Sequence, residues 1–226
     1  MPENRIYNNL LALPLFLGMS RKDLQQAAGQ TRFDFRKIAQ GETIVTEGEP
    51  CTHLYFLLDG DVLVKTESID HDYSIEEKIH APETFQSERI FGLYPQFTHT
   101  YIAQQDCSLL CLGKQDVMKL ATRFDIFRIN LLNLVSTQSQ KHNIRTRQSP
   151  PKTLEERIVR FIESNCVSHY GEKTIHIKMT RIAEEVNDSR LDVSKALNHL
   201  QNQGLIQLFR ERIYIPALEK LTNDKQ

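Results

Sequence analysis

The stretch Met179 to Gly204, MTRIAEEVNDSRLDVSKALNHLQNQG, limits the possible folds more than any other part of this chain. It reads as two short helices joined by a tight polar turn. Ile182, Ala183 and Val186 give the first helix an inward side, with Thr180 as its N-cap. In the second, Val193, Ala196, Leu197 and Leu200 recur at helical spacing. Ala183 is small enough for two helices to cross closely, and Asn187 tolerates the left-handed backbone that a sharp turn needs. The second helix is left with Leu191, Ser194, Lys195, Asn198 and Asn202 facing outward, and Arg190 at its N-terminal end.

The elements around the pair extend the pattern. Thr153 caps a helix with Glu155 and Glu156 in its first turn and Ile158, Phe161 and Ile162 inside. Thr174 to Lys178 is extended, and Leu205 to Phe209 with Arg212 to Ile215 forms a β-hairpin around Arg210-Glu211. Helix, helix pair and terminal hairpin make a winged helix-turn-helix over 149–226. Upstream, Gln115 to about Arg147 carries one helical pattern without glycine or proline, ended by a hinge at Pro150 and Pro151. Its stripe of Phe124, Phe127, Leu131, Leu134, Val135 and Gln138 is too long for one small domain to cover and predicts a second copy as partner. Packing on the chain's own strands accounts for Val117, Met118 and Ala121.

Residues 1–113 follow a third regime. Ile6 to Gln30 reads as helical, with Ser20 as an N-cap. Short strands then follow, punctuated by Gly41, Gly48 and Gly60: Leu54 to Leu58, Val62 to Val64, Tyr73 to Ile79 and Tyr101 to Leu112. Asp59-Gly60 is the turn between the first two. The expected fold is α+β: an N-terminal antiparallel β-roll over 1–113, a long dimerisation helix over 114–148, and the winged helix-turn-helix.

Charge divides along the same lines. Residues 1–140 hold 13 Lys/Arg against 18 Asp/Glu, whereas residues 141–226 hold 15 against 11. Only the C-terminal third is suited to meet phosphate. There the outward helix fits the major groove of double-stranded DNA. Arg190 can donate two bonds to a guanine edge, Lys195 can reach a base or a phosphate, and Leu191 can touch a thymine methyl; Ser194 and Asn198 complete the base-reading face. Thr180, Arg181, Ser189, Arg210 and Arg212 are the candidates for phosphate contacts.

These segments resemble the cyclic-AMP receptor protein/fumarate-nitrate regulator superfamily of bacterial transcription factors over nearly the whole chain. GETIVTEGEPCTHLYFLLDGDVLV is similar to that family's cyclic-nucleotide-binding-type roll, and DSRLDVSKAL to its recognition-helix motif Ser-Arg-x-x-Val-x-Arg. The resemblance implies a homodimer on a near-palindromic operator, with Arg190 and Lys195 at base-reading positions. Leu191 stands where members that recognise the best-known half-site carry Glu, which implies a different operator. Nucleotide-binding members carry Gly-Glu and, about ten residues on, Arg-Ser/Thr. Here the stretch is FQSERIFGLYPQFTHTYIA: Glu88 keeps the acid, Ser87 replaces Gly, and Thr98-His99 replace the basic pair. A buried phosphate would lack its charge-assisted partner, so cyclic AMP is not the expected effector. Glu88, Thr98, His99 and Tyr101 are the candidates for contacting some other small molecule, or the roll is purely structural. No cofactor is implied: no cysteine precedes Cys51, as the family's iron–sulfur sensors require, and no His or Cys spacing suggests a metal.

Other classes fit less well. There is no phosphate loop, nucleophile elbow or metal-ligand spacing for an enzyme, so no catalytic residue is nominated. A binding or scaffold module whose C-terminal domain contacts protein is the alternative. RNA polymerase would be a further partner of an activator, for which the sequence marks no surface. No run of about 18 apolar residues or signal-peptide pattern occurs, and the expected location is the cytoplasm. The four cysteines are expected to be small buried hydrophobes in a reducing compartment.

Overall fold

A computed structural model describes residues 10–11, 13–146 and 150–222; parts of the expected first helix, the end of the long helix and the C-terminal tail lie outside these. Two compact units result. One gathers residues up to Val62 with His80–Thr98 and Ala103–Arg147; the other gathers Leu63–Ile79 and His99–Ile102 with everything from Gln148. The C-terminal unit therefore includes pieces of the expected roll.

The first unit opens with a short 3-10 turn at Pro14–Phe16 and helix α1 (Arg21–Gln30), capped by the Ser20 hydroxyl. The expected single helix is thus broken, with Gly18 at φ +81 between the two pieces. The strands in chain order are β1 (Asp34–Ile38), β2 (Thr43–Val45), β3 (His53–Asp59), β4 (Asp61–Glu67), β5 (Tyr73–His80), β6 (Glu83–Phe85), β7 (Thr100–Ala103) and β8 (Cys107–Gly113). Four of them form an antiparallel sheet in the order β1-β8-β3-β6. Leu109 to Leu112 are all buried, as expected of a strand covered on both faces. Gly60 is irreplaceable in the β3–β4 turn: its φ is +101, and a Cβ would stand 2.7 Å from the Cys107 sulfur. All four cysteines are free and buried, and burial pushes the Cys51 and Cys111 thiols up to about 11, leaving them unreactive.

The long helical pattern is two helices. α2 (Lys114–Arg123) ends at Phe124, whose extended backbone starts α3 (Asp125–Thr146). Charge marks the break where no glycine or proline does: Arg123 ends one helix and Asp125 begins the next, each matching the local dipole. Phe124, Phe127 and Leu131 are buried within this unit, Phe127 packing edge-on against Phe16 at 5.3 Å. Half of the stripe expected for a second copy is therefore spent inside the chain. The α3 face left exposed carries Ile126, Ile129 and Leu132.

The second unit contains α4 (Leu154–Ser164), β9 (Lys173–Ile177), α5 (Met179–Glu185), α6 (Arg190–Asn202), β10 (Gln207–Phe209), β11 (Arg212–Ile215) and a short α7 (Leu218–Thr222). Thr153 and Ser189 cap α4 and α6 by accepting from the amides of Glu156 and Asp192. Thr180 does not cap α5; Lys178 holds that position and Thr180 lies inside the first turn. Strand order here is β10-β11-β9-β5-β4-β7. β5 pairs with β9 over Tyr73↔Ile177 through Glu77↔Lys173, and Ile75 sits fully buried among Ile158, Ile175, Val193 and Leu197.

Glu77 and Lys173 meet at 2.9 Å with no solvent exposure. Glu77 also accepts from the amides of Val167 and Ser168, and Lys173 donates to the Tyr170 carbonyl. Both carboxylate oxygens and two of the three ammonium protons are thereby answered, which is what makes burial of a charge pair tolerable. Lys173→Ala is expected to destabilise the chain by about 3–5 kcal/mol in urea unfolding, because it strands a buried carboxylate. Glu77→Leu combined with Lys173→Met is expected to recover most of that loss.

Candidate nucleic-acid interface

The core fixes which side of α6 can meet a ligand. Val193, Ala196, Leu197 and Leu200 are turned inward, and the left-handed turn at Asn187 (φ 52) sets the angle between α5 and α6. Arg157 of α4 pairs with Asp188 in that turn, and Glu155 with His199, fastening α4 to the helix pair. Leu191 is consequently 66% exposed, and Arg190, Lys195 and Asn198 are exposed beside it, with Ser194 half-buried.

These side chains are not equally available. Arg190 has no ion-pair or hydrogen-bond partner among the described residues and stands at the positive end of a 13-residue helix. Lys195 is drawn back to Asp192 at 3.0 Å, and the Ser189 hydroxyl donates to the same carboxylate. Those bonds hold the Asp192 carboxyl below its ordinary range, the Ser189 hydroxyl first and Lys195 second. The Asn198 amide nitrogen donates to the Ser194 carbonyl at 2.7 Å, which ties that end of the side chain to its own helix.

One groove of about 430 Å³ gathers the other cations. Thr180 and Lys178 come from the start of α5, Arg190 from α6, and Arg210 and Arg212 from the wing. Arg212 also lies over the ring of Phe209, 4.4 Å from its centre, which keeps the guanidinium beside an exposed aromatic. Four of the nominated residues are thus brought together from elements distant in sequence. Lys178 and Phe209 belong to the same surface but were not nominated. Lys178 was legible as a cation beside the helix start; Phe209 was hidden in a strand read only for its apolar pattern.

Arg181 is not in the groove. Its guanidinium is held by Asp70 at 2.8 Å, Glu185 at 2.6 Å, Glu184 at 3.5 Å and Asp72 at 4.0 Å, over the ring of Tyr73. A guanidinium already surrounded by carboxylates does not present itself to phosphate. Its helix position faces the β4–β5 hairpin, which sequence reasoning did not place there.

The effector candidates divide between the units. In the first, the Gln86 side chain donates to the Thr98 hydroxyl at 2.6 Å and accepts from its amide at 2.9 Å, closing the loop where a nucleotide-binding cassette would take phosphate. Glu88 lies 3.9 Å from Arg89. In the second, His99 bonds the Thr66 hydroxyl at 2.9 Å and Tyr101 is buried. Among the described residues no group of His, Cys, Asp and Glu is arranged to hold a metal.

Comparison with known proteins accords with this geometry. A cyclic nucleotide-binding domain model matches residues 35–124, and a Crp-like helix-turn-helix domain model matches residues 156–223. The chain belongs to the cyclic-AMP receptor protein/fumarate-nitrate regulator superfamily of transcription factors. Among solved structures, the catabolite activator protein of Thermus thermophilus is 19% identical with a TM-score of 0.50, over 93% of this chain and 97% of its own. The sensor domain of the regulator DNR from Pseudomonas aeruginosa is 20% identical with a TM-score of 0.52, over 68% and 100%. The c-di-GMP responsive regulator CLP of Xanthomonas campestris is 15% identical with a TM-score of 0.50, over 87% and 99%. At these identities the likeness concerns the fold. No curated protein sequence matches the chain. No helix among the described residues is long and apolar enough to cross a membrane.

On duplexes selected from a random pool, Arg190→Ala is expected to cost about 1–3 kcal/mol of discrimination at one base position. Arg210→Ala with Arg212→Ala is expected to weaken all sequences and flatten the dependence of affinity on salt by about one to two counterions. Arg181→Ala is expected to leave that salt slope unchanged.

Proposed function

We propose that this superfamily member is a sequence-specific regulator acting as a homodimer on a near-palindromic operator, and that cyclic AMP does not control it. The observation that carries the reading is the joined surface of α6 and the wing: an unpaired Arg190 and three further cations around one groove, beside an exposed Leu191. Phosphate contacts from the groove would fix register while α6 reads base edges. Such an arrangement suits the backbone-plus-base logic of a major-groove helix better than a protein-binding face, which is depleted of charge at its centre.

Dimerisation is supported by α3. Ile126, Ile129 and Leu132 are 40%, 55% and 60% exposed, one apolar line along a 22-residue helix. A second copy of the same helix would cover it with knobs-into-holes packing. Two recognition helices about 34 Å apart would then enter successive major grooves. The missing cassette arginine and the Gln86–Thr98 bonds support independence from cyclic AMP.

Sedimentation should find a dimer that Ile129→Asp with Leu132→Asp converts to monomers, with a loss of operator affinity of at least about tenfold. A monomeric parent protein would overturn the dimer. Titration with cyclic AMP should give no binding heat and no change in operator affinity; a saturable response would overturn that part alone.

A further inference from the structure

We infer that the β4–β5 hairpin is a permanent strand-pair of the DNA-binding module, and that Tyr73, Ile75, Glu77 and Arg181 are positioning residues that hold β9, and through it the wing and α5, to the hairpin. The consequence for DNA rests on the function proposed above; the attachment itself does not.

β9 lies inside the sheet only because β5 is there. On one side it pairs with β11 of the wing; on the other, five residues pair in register with β5. Without the hairpin, β9 would be an open edge, with its outward amides and carbonyls unpaired. The side chains reinforce the pairing at both ends and in the middle. At one end Glu77 faces Lys173 in a fully buried pair. In the middle Ile75 is part of the same buried cluster as α4 and α6. At the other end the Tyr73 ring packs edge-on against Phe161 at 5.3 Å and its hydroxyl donates to Asn165. Beyond it, Asp70 and Asp72 hold Arg181 of α5.

Peeling β5 away would expose an isoleucine, strand a buried charge at each partner and leave five backbone pairs unmet. No single contact could be given up separately, so the hairpin and the winged helix should move as one body. Both ends of the hairpin continue in the chain into the first unit, at 62–63 and 79–80. The segment around Pro150 and Pro151 is then not the sole tether of the DNA-binding surface, and a displacement of the hairpin would carry the groove residues with it.

Ser74 and His176 stand directly opposite in register, and the native cysteines are buried, so Ser74→Cys with His176→Cys in the full chain tests the attachment. A disulfide should form under mild oxidation, and the oxidised protein should bind its selected duplex within about twofold of the reduced form. Failure to crosslink, or a loss of affinity of about tenfold that reduction restores, would overturn the inference. A second variant, Ile75→Ala, should speed hydrogen exchange at the β9 amides by at least about tenfold while α2 and α3 keep their protection. Unchanged exchange at β9 would also overturn it. If no duplex binds either form, the proposed function fails, while crosslinking and exchange still decide the attachment.

Discussion

A buried lysine facing a buried glutamate across two strands governs how the C-terminal half of this protein is put together. Lys173, Ile175 and Ile177 alternate inward along β9, so a charge occupies a place in an otherwise apolar row. It is tolerable because Glu77 answers it and is itself answered by two backbone amides. A slip of β5 by one residue would turn Glu77 and Ile75 out of the core and leave Lys173 buried without its partner. The pair thus selects register as much as it adds stability, and the position of the wing follows, since β11 is built on the other edge of β9.

Local chemistry was legible in the sequence wherever a short stretch decides its own conformation. Whereas the cap expected at Thr180 falls to Lys178, the caps at Ser20 and Thr153, the left-handed turn at Asn187 and the glycine turn after Asp59 all stand where the residue types place them. So does the inward stripe of α6. What escaped were decisions made by residues far apart in the chain. The sequence around Arg181 shows a cation near a helix start; nothing local says that Asp70 and Asp72 will close over it. The break at Phe124 was missed because Phe is no breaker, and its extended backbone is accepted in exchange for burial. Periodicity found the apolar stripe of α3 but not what covers it, because Phe124, Phe127 and Leu131 face the chain's own interior as readily as they would face another molecule.

The same distinction separates the two candidate sites. On the surface of α6 and the wing, long flexible cations converge on a groove, and each keeps solvent access. In the loop over 86–98, Gln86 spans to Thr98 with both ends of its amide, while the buried Ser87 hydroxyl and Arg89 Nε have no hydrogen-bond partner among the described residues. An amide can close such a loop without importing charge, which an arginine buried there could do only with an anion beside it.

Charge economy on the winged helix follows from this arrangement. A net charge of −1 gives the whole chain no general attraction to polyanions, so affinity for DNA must come from where the cations are, not from how many there are. Arg181 is outnumbered by its four carboxylates and adds no positive field in front of α6. Lys195 is partly offset by Asp192. Arg190 and the wing arginines are left to act at full strength. A surface with few uncommitted charges binds non-specific duplex weakly, and the contacts that remain weigh more heavily in the choice between sequences.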